Sequence, residues 1–265
     1  MGKQRHMNWI PQLLIFIVLS FAVAGCGAKQ PTAMQGLQIE PAKMPVSEYV
    51  RPDRKYVLDK VADPWEPFNR RMYEFNYRFD RYVFLPIVHG YEAIMPDLLE
   101  QGVSNFFNNL AEIRNLINSI LQFKGKAIVD TTGRILINTT VGIGGLFDHA
   151  TGIGIYEHEE DFGQTLGHYG VGFGPYLVLP ILGPSSLRDG AGLAVDTAVR
   201  LVIYDAVDPF EHAERKDEIE LGINLLSAVD KRHQIKFRYY ETDSPFEYDL
   251  VRLMYYEKRE LDIGK

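Results

Sequence analysis

The side chains with the greatest capacity for metal chemistry lie in the segment HEEDFGQTLGH. His158, Glu159, Glu160, Asp161 and His168 are all residue types that bind metal ions. Their spacing does not match the H-E-x-x-H pattern, in which two histidines lie one helical turn apart. Adjacent Glu159 and Glu160 would also point to different sides of a regular element. We therefore interpret the segment as an exposed acidic loop and expect no metal site.

A second set of residues could in principle form a nucleophilic triad. Ser185 or Ser186 could combine with His168 and Asp189, as in serine hydrolases. The two serines lie in GPSSLRDG, which lacks the G-x-S-x-G turn that exposes a nucleophile. We predict that the chain is not an enzyme, and keep a membrane-anchored hydrolase as an alternative hypothesis.

The glycine-rich segments do not match a phosphate-binding loop. Gly170, Gly172 and Gly174 form G-x-G-x-G without a preceding strand, and the run from Gly142 has Phe147 where a third glycine is required. The formal net charge of -7, with no basic face, also argues against binding to nucleic acid. We expect neither a nucleotide cofactor nor a nucleic-acid partner.

The chemistry of Cys26, the one cysteine of the chain, is indicated by what precedes it. Lys3 and Arg5 form a basic start, Leu13–Ala24 is an apolar segment of secretory-signal length, and small residues end it at VAGC. This pattern resembles a bacterial lipobox, whose cysteine receives lipid; a lone buried thiol is the alternative. We predict a signal peptide over residues 1–25 and a lipid on Cys26, which would anchor the mature chain to a membrane.

The elements that position the remaining residues are predicted to be helical. Residues 26–62 contain four prolines and little apolar periodicity, which predicts a flexible tether. Residues 63–265 show helical periodicity, which predicts a single, mainly α domain. At most one short β-hairpin is expected, formed by IGIYEHEED and FGQTLGHYG.

The first helix is predicted to start at Asp63, as the N-cap residue. Pro64 would then occupy the first helical position, and Glu66 the position three residues after the cap. Aromatic and apolar residues follow at spacings of three and four, which predicts a stripe that faces the core: Phe68, Met72, Phe75, Phe79 and Tyr82.

The segment VSNFFNNLAEIRNLINSILQ predicts a strongly amphipathic helix, with apolar residues on one side and asparagines, Glu112 and Arg114 on the other. In a soluble protein the apolar side would face the core. In a lipid-anchored protein the helix could instead lie in the membrane plane with that side among acyl chains. Further helices are predicted from Ala127 and from Leu193.

The stretch Tyr169–Leu187 holds nineteen residues without a charge, which is nearly enough to cross a bilayer. Its four glycines and three prolines are incompatible with an ordinary transmembrane helix. A closely packed, irregular segment at membrane depth would satisfy both observations.

Three stretches together resemble the VacJ/MlaA family of outer-membrane lipoproteins: DPWEPFNRRMYEFN, SNFFNNLAEIRNLIN and LGHYGVGFGPYLVLPILGPSSLRD. The resemblance covers roughly Asp63 to Asp208. It implies a ring-like bundle of amphipathic helices lying in the membrane plane around a central channel. It also implies attachment to the periplasmic face of the outer membrane of a Gram-negative bacterium.

The function implied by the resemblance is phospholipid transport that maintains lipid asymmetry. Phospholipid misplaced in the outer leaflet would pass through the channel, with a trimeric porin and a soluble periplasmic lipid carrier as partners. No cofactor is implied beyond the covalent N-terminal lipid and the transported phospholipid. A structural, porin-associated lipoprotein without transport is the main alternative.

Candidate site residues follow from the motifs that carry the resemblance. Arg188 and Asp189 are interpreted either as an internal ion pair or, through Arg188, as a headgroup contact. Polar residues of the first motif are interpreted as caps and clamps, so the structural set is Asp63, Pro64, Glu66, Phe68, Asn69, Arg70 and Asp189. The residues expected to line the channel are Tyr169, Phe173, Tyr176, Leu177, Leu179, Ile181 and Arg188.

Overall fold

The computed structural model describes residues 60–208, 210–242 and 244–265. The predicted signal peptide, Cys26 and all but the last three residues of the predicted tether lie outside these ranges. The described chain is mainly helical, as predicted. Its helices are α1 (Glu66–Phe79), a π-helical turn (Asp80–Phe84), α2 (Leu85–Ile94), α3 (Asp97–Leu121), α4 (Gly125–Thr140), α5 (His149–Gly152), α6 (Phe162–His168), α7 (Leu187–Val207), α8 (Lys216–Gln234) and α9 (Glu247–Ile263).

One short antiparallel hairpin joins β1 (Tyr176–Leu179) to β2 (Gly183–Ser186). The expectation of a short hairpin is confirmed, but its predicted position before and within FGQTLGHYG is wrong, because that segment forms α6. The hairpin lies in the uncharged stretch instead. Ile181 and Gly183 adopt positive φ angles of 67° and 85°, which reverse the chain between the strands.

Helix α1 does not start at Asp63. It begins at Glu66, and its N-cap residue Trp65 makes no side-chain capping bond. The carboxylate of Asp63 accepts hydrogen bonds from Tyr248 Oη and from Arg252 Nη1 of α9, the latter at 3.2 Å. The predicted cap is wrong because Tyr248 and the charged Arg252, which lie far along the chain, bind this carboxylate.

The aromatic stripe of α1 is mostly exposed, contrary to the prediction: Phe68 is 48% exposed, Phe75 is 43% exposed and Tyr82 is 65% exposed. Met72 and Phe79 are half-buried, and Met72 packs against the core. The fully buried face lies one residue further along, at a spacing of three and four residues, and it is mostly polar: Asn69, Tyr73, Asn76 and Asp80. The helix is amphipathic as expected, but its buried face is rotated by about 100° from the predicted one.

The buried asparagines of α1 explain why this polar face is buried, because each one binds the backbone of the hairpin twice. Asn69 donates to Tyr176 O at 3.0 Å and accepts from Val178 N at 2.9 Å. Asn76 donates to Leu179 O at 2.9 Å and accepts from Ile181 N at 2.7 Å. Two amide side chains, two turns apart on one face of α1, thus hold β1 against the helix as an adjacent strand would.

Helices α3 and α4 pack along each other and show the same inverted distribution. Their buried side chains are largely polar: Asn109, Glu112, Asn115, Asn118 and Ser119 in α3, and Thr131, Arg134 and Asn138 in α4. Apolar side chains of the same helices are exposed, including Leu110, Ile113, Ile120, Val129 and Leu136. Of the two interpretations of this amphipathic segment, the geometry therefore matches apolar residues that face away from the protein.

Within the described ranges, every helix is too short or too polar to cross a bilayer. The buried apolar residues instead form a small, largely aromatic core where α1, the hairpin and α9 meet: Val61, Tyr73, Phe173, Tyr176, Val178 and Tyr248. Tyr73 makes an edge-to-face contact with Tyr248 at 5.7 Å between ring centroids.

Helices α6 and α7 approach so closely that only glycine fits between them. A Cβ atom at Gly192 would lie 2.7 Å from Gly163 Cα, and it would also meet the Gly163 backbone nitrogen. Gly192→Ala should therefore destabilise the protein by about 1–3 kcal/mol through overpacking. Thermal unfolding in detergent solution measures this effect.

Gly222→Ala is the matched control, because Gly222 also lies inside a helix but a Cβ atom there meets nothing within 4 Å. This substitution should raise stability by about 0.5–1 kcal/mol. Equal effects at the two glycines would contradict the close approach of α6 and α7.

Candidate functional site

A buried ionic network ties α9 to the beginnings of α6 and α7. Arg259 donates to both carboxylate oxygens of Asp161, at 2.7 and 2.8 Å, and to both oxygens of Asp189, at 3.1 and 2.9 Å. Asp161 also caps α6 by accepting from Gln164 N at 2.8 Å. One arginine thus fixes the N-termini of two helices that lie far apart in the sequence.

Arg188 and Asp189 belong to the same network. Arg188 Nε lies 3.0 Å from Asp189 Oδ1, and both side chains are buried. The guanidinium also lies 5.5 Å from the ring of Phe173. This geometry corresponds to the internal ion pair rather than to a headgroup contact.

The arginines lower the pKa of both carboxyl groups in this network. Burial opposes ionisation of Asp161 and Asp189, but hydrogen bonds and charge from Arg259 outweigh it, so each pKa lies below the ordinary value of 3.8. The stabilisation from these carboxylates is therefore present above pH about 4 and is lost as the pH falls below that value.

The first motif binds α9 through a second network. Arg70 Nε donates to Glu66 at 2.7 Å, and Arg70 Nη2 donates to Asp249 at 2.8 Å. Asn69 Nδ2 donates to Asp63 Oδ1 at 2.7 Å. These polar residues act as clamps, whereas Pro64 and Phe68, the other two members of the motif set, are exposed.

A third network of buried polar contacts lies between α3 and α4. Arg134 pairs with the fully buried Glu112 and donates to Thr151 Oγ1 and to Ile155 O, each at 2.8 Å. Its Nη2 lies 3.2 Å from Asp148, whose carboxylate caps α5. The loop that follows α4 is thereby held against the polar faces of both helices.

The interpretation of HEEDFGQTLGH as an exposed acidic loop is wrong for Glu160, which is 5% exposed. Its carboxylate accepts from Lys124 Nζ at 2.7 Å and from Gln122 Nε2 at 2.9 Å. Glu159 is exposed, as predicted. Across the described residues, no group of three or more histidine, cysteine, aspartate or glutamate side chains has a metal-binding arrangement.

The residues considered for a hydrolase triad have other partners. Ser186 Oγ caps α7 by accepting from Asp189 N at 3.0 Å, and Ser185 Oγ donates to Ser186 O at 3.4 Å. His168 lies against Tyr169, with 5.3 Å between ring centroids. Among the described residues, His168 makes no hydrogen bond to either serine.

The candidate channel residues do not share one surface. Phe173 and Tyr176 are buried in the aromatic core, so they are not placed to contact a passing lipid. Leu177 and Leu179 are half-buried. Ile181, at the turn of the hairpin, is 51% exposed. Tyr169 is also exposed, and its hydroxyl donates to Leu121 O at 2.6 Å.

The sequence-based prediction missed a group of polar and charged residues around Glu112. Asn115 of α3 donates to Glu112 at 3.2 Å and to Glu157 at 3.3 Å. Burial, followed by the charges of Glu112 and Glu159, raises the pKa of Glu157. The signal for these residues is the row of polar side chains in α3, whose spacing shows a common face but not whether that face is buried.

The profile of the MlaA lipoprotein family matches residues 61–262. An uncharacterised protein of Rickettsia typhi is 36% identical over 176 residues, which are 66% of this chain and 67% of that protein. The intermembrane phospholipid transport system lipoprotein MlaA of Escherichia coli is 38% identical over 139 residues, or 51% of this chain and 55% of its own length.

The fold also has a counterpart among solved structures. One solved chain comes from work on the structural basis for maintenance of bacterial outer membrane lipid asymmetry. It superposes on this chain with a TM-score of 0.60 and 30% sequence identity. The match covers 76% of this chain and 99% of that chain. The residues matched by the family profile include the three ionic networks and the hairpin. The chain belongs to the MlaA lipoprotein family.

Proposed function

We propose that this chain is a lipid-anchored component of a phospholipid trafficking system at the outer membrane. It removes mislocalised phospholipid from the outer leaflet through an amphipathic channel and so maintains lipid asymmetry. The observation that carries the proposal is the inverted distribution of polarity, with polar side chains inside and apolar ones outside, in a described chain without a spanning helix.

The apolar exterior supports a position among acyl chains. Large apolar side chains that are more than half exposed recur along α2, α3, α4 and α7: Ile94, Leu98, Leu99, Val129, Leu136, Leu187, Leu201, Val202 and Val207. An exterior of this kind would be unfavourable in water, but it suits helices that lie in the plane of a bilayer. Their backbone groups remain bonded within each helix, so no long span is needed.

The polar interior supports a path for a headgroup. Charged and amide side chains from α3, α4 and the loop before α6 face inward, and many are fixed by the networks described above. A headgroup can exchange its hydration for such a surface, while acyl chains remain near apolar residues. Transport of lipid by this route forms and breaks no covalent bond. The proposal includes a ring of helices around a central channel.

The partners and the site of attachment are also parts of the proposal. A trimeric porin would hold the chain at the outer membrane, and a soluble periplasmic carrier would receive the lipid. Attachment through a lipid on Cys26 would place the chain on the periplasmic face. The family membership and the name of the E. coli relative support this assignment.

The proposal is tested in cells that lack the chain. Deletion should increase the phospholipid that is accessible in the outer leaflet, measured by its modification with an enzyme restricted to the cell surface. The wild-type chain and His168→Ala should both restore the normal level, because transport needs no catalytic base. Failure of the wild-type chain to lower this level would contradict transport, and selective failure of His168→Ala would support a hydrolase.

A further inference from the structure

Three cations of the helices α3, α7 and α8 have no carboxylate oxygen within ion-pair distance among the described residues. They are Arg114 of α3, Arg200 of α7 and Lys231 of α8, and we call them the cation cluster. Six buried or half-buried arginines elsewhere are paired with carboxylates: Arg70, Arg134, Arg188, Arg232, Arg252 and Arg259. Arg71, Lys236 and Arg238 also have no ion pair among the described residues, so the cation cluster is set apart by its position and not by the absence of pairing alone.

A polar contact between α3 and α7 brings the two arginines toward each other. Asn118 Nδ2 donates to Asp196 Oδ1 at 3.1 Å, which joins the facing sides of these helices. Arg114 lies one turn before Asn118, and Arg200 lies one turn after Asp196. Residues four apart share a helix face, so both arginines lie on the sides that meet at this contact.

Lys231 reaches the same region from α8, which packs against α3. The hydroxyl of Ser104 donates to Asp230 Oδ1 at 2.6 Å and fixes the end of α8 beside α3. The surrounding protein and then the charges of Arg114 and Arg200 lower the pKa of Lys231, while Glu159 acts in the opposite direction. Lys231 directly follows Asp230, so the packing of α8 against α3 and the sign of this shift together indicate that it lies on the same side of the fold as the two arginines.

The cation cluster can be reached from outside and has unused hydrogen-bonding capacity. Arg200 and Lys231 are exposed, and Arg114 is half-buried. Arg114 Nη2 donates to Asn115 at 3.2 Å, but its buried Nε finds no acceptor among the described residues. Glu157 and Glu159 lie nearby, although Asn115 already binds Glu157. An anion with several acceptor oxygens would satisfy the donors that remain.

We propose that the cation cluster binds the phosphate of a phospholipid and favours lipids whose headgroup carries a net negative charge. Phosphate offers the oxygens that guanidinium groups bind best, and it would relieve the repulsion among the three cations. A zwitterionic lipid also brings its own cation into this region, so it binds more weakly. This inference rests on the proposed function, because it assigns the step at which a passing headgroup is held.

The test measures binding of short-chain lipids to the full-length chain in nonionic detergent by titration calorimetry. The probes are dihexanoyl phosphatidylglycerol, dihexanoyl phosphatidylethanolamine, dihexanoyl glycerol and inorganic phosphate. The variant is the triple substitution Arg114→Gln, Arg200→Gln and Lys231→Gln. The control removes three exposed cations elsewhere: Lys60→Gln, Arg71→Gln and Lys236→Gln.

The wild-type chain and the control should bind phosphatidylglycerol at least about tenfold more tightly than phosphatidylethanolamine, which corresponds to about 1.4 kcal/mol. The triple variant should lose this preference and keep its binding of dihexanoyl glycerol. If the triple variant does not fold, Lys231→Gln alone should weaken phosphatidylglycerol binding several-fold, since its side chain is exposed.

Two results would overturn the inference. One is equal binding of phosphatidylglycerol by the wild-type chain and by the variant. The other is inorganic phosphate that binds as tightly as phosphatidylglycerol, which would indicate a site for free anions. If the wild-type chain binds phospholipid but the cation cluster makes no difference, the proposed function stands and only this inference fails. Absence of any lipid binding by the wild-type chain would contradict both.

Discussion

Replacing Arg259 with methionine should lower the free energy of unfolding by about 3 kcal/mol or more, because it leaves buried carboxylates without their cation. Asp189 is 8% exposed and would retain Arg188 as its one cation, together with the hydrogen bond from Tyr255 Oη at 2.9 Å, and Asp161 would lose both of its bonds to the guanidinium. Methionine preserves much of the apolar contact made by the arginine side chain. Thermal and denaturant unfolding in detergent measure the loss.

Lys258→Met is the matched control, because it removes a cation from the neighbouring position of α9. Lys258 is largely exposed, and its partner Asp262 also binds Lys265 at 2.6 Å. The control should therefore change stability by less than about 1 kcal/mol. Similar losses in both variants would show that the position of the cation has no importance.

The pH dependence of the Arg259 variant gives an independent check. In the wild-type chain the pKa values of Asp161 and Asp189 lie below 3.8, so their contribution is complete at neutral pH. Protonation removes it as the pH falls below about 4. The difference in unfolding free energy between wild type and variant should therefore be largest at neutral pH and should shrink in acid. A constant difference would contradict the ionic origin of the effect.

The second large effect is expected on the apolar exterior of α4. Val129→Asp combined with Leu136→Asp should weaken association with phospholipid vesicles at least about a hundredfold, since burial of each apolar side chain is worth about 1.5–3 kcal/mol. The two residues are 71% and 59% exposed, so the substitutions cost little within the protein. Co-flotation with vesicles, in a Cys26→Ser background that removes the predicted lipid, measures the change.

Arg71→Asp combined with Lys236→Asp is the control for charge alone. Both cations are exposed, and the double substitution changes the net charge by more than the α4 variant does. It should leave vesicle association within a few-fold of the Cys26→Ser parent. Unchanged association of the α4 variant would mean that this helix does not enter the bilayer.

The sequence predicts the helices of this protein better than it predicts which side of each helix is buried. Periodicity in α1 and α3 shows two faces, because the spacing of apolar residues is a property of the helix itself. The direction of each face depends on the surroundings, which are lipid rather than water in the proposed function. Periodicity therefore predicts Phe68 in the core, and the burial of Asn69 is explained only by its bonds to the hairpin.

Long-range polar partners explain the other differences between prediction and structure. Asp63 has the local sequence of an N-cap, but Tyr248 and Arg252 lie far along the chain and no nearby pattern announces them. Glu160 likewise lies in a segment whose composition predicts a solvated loop, and its contact with Lys124 explains its burial. The family could be identified because its motifs are local in sequence. Three unpaired cations on three different helices could not be identified in this way.

The ionic networks of α9 also determine when the fold can be completed. The chain leaves the ribosome from its N-terminus, so Asp63, Asp161 and Asp189 are made long before Arg252 and Arg259. Until α9 emerges, these carboxylates have no arginine partner from that helix, and the segments that they hold against α9 lack this contact. We expect the fold to be completed only after α9 has been made, which is compatible with export of an unfolded chain through the predicted signal peptide.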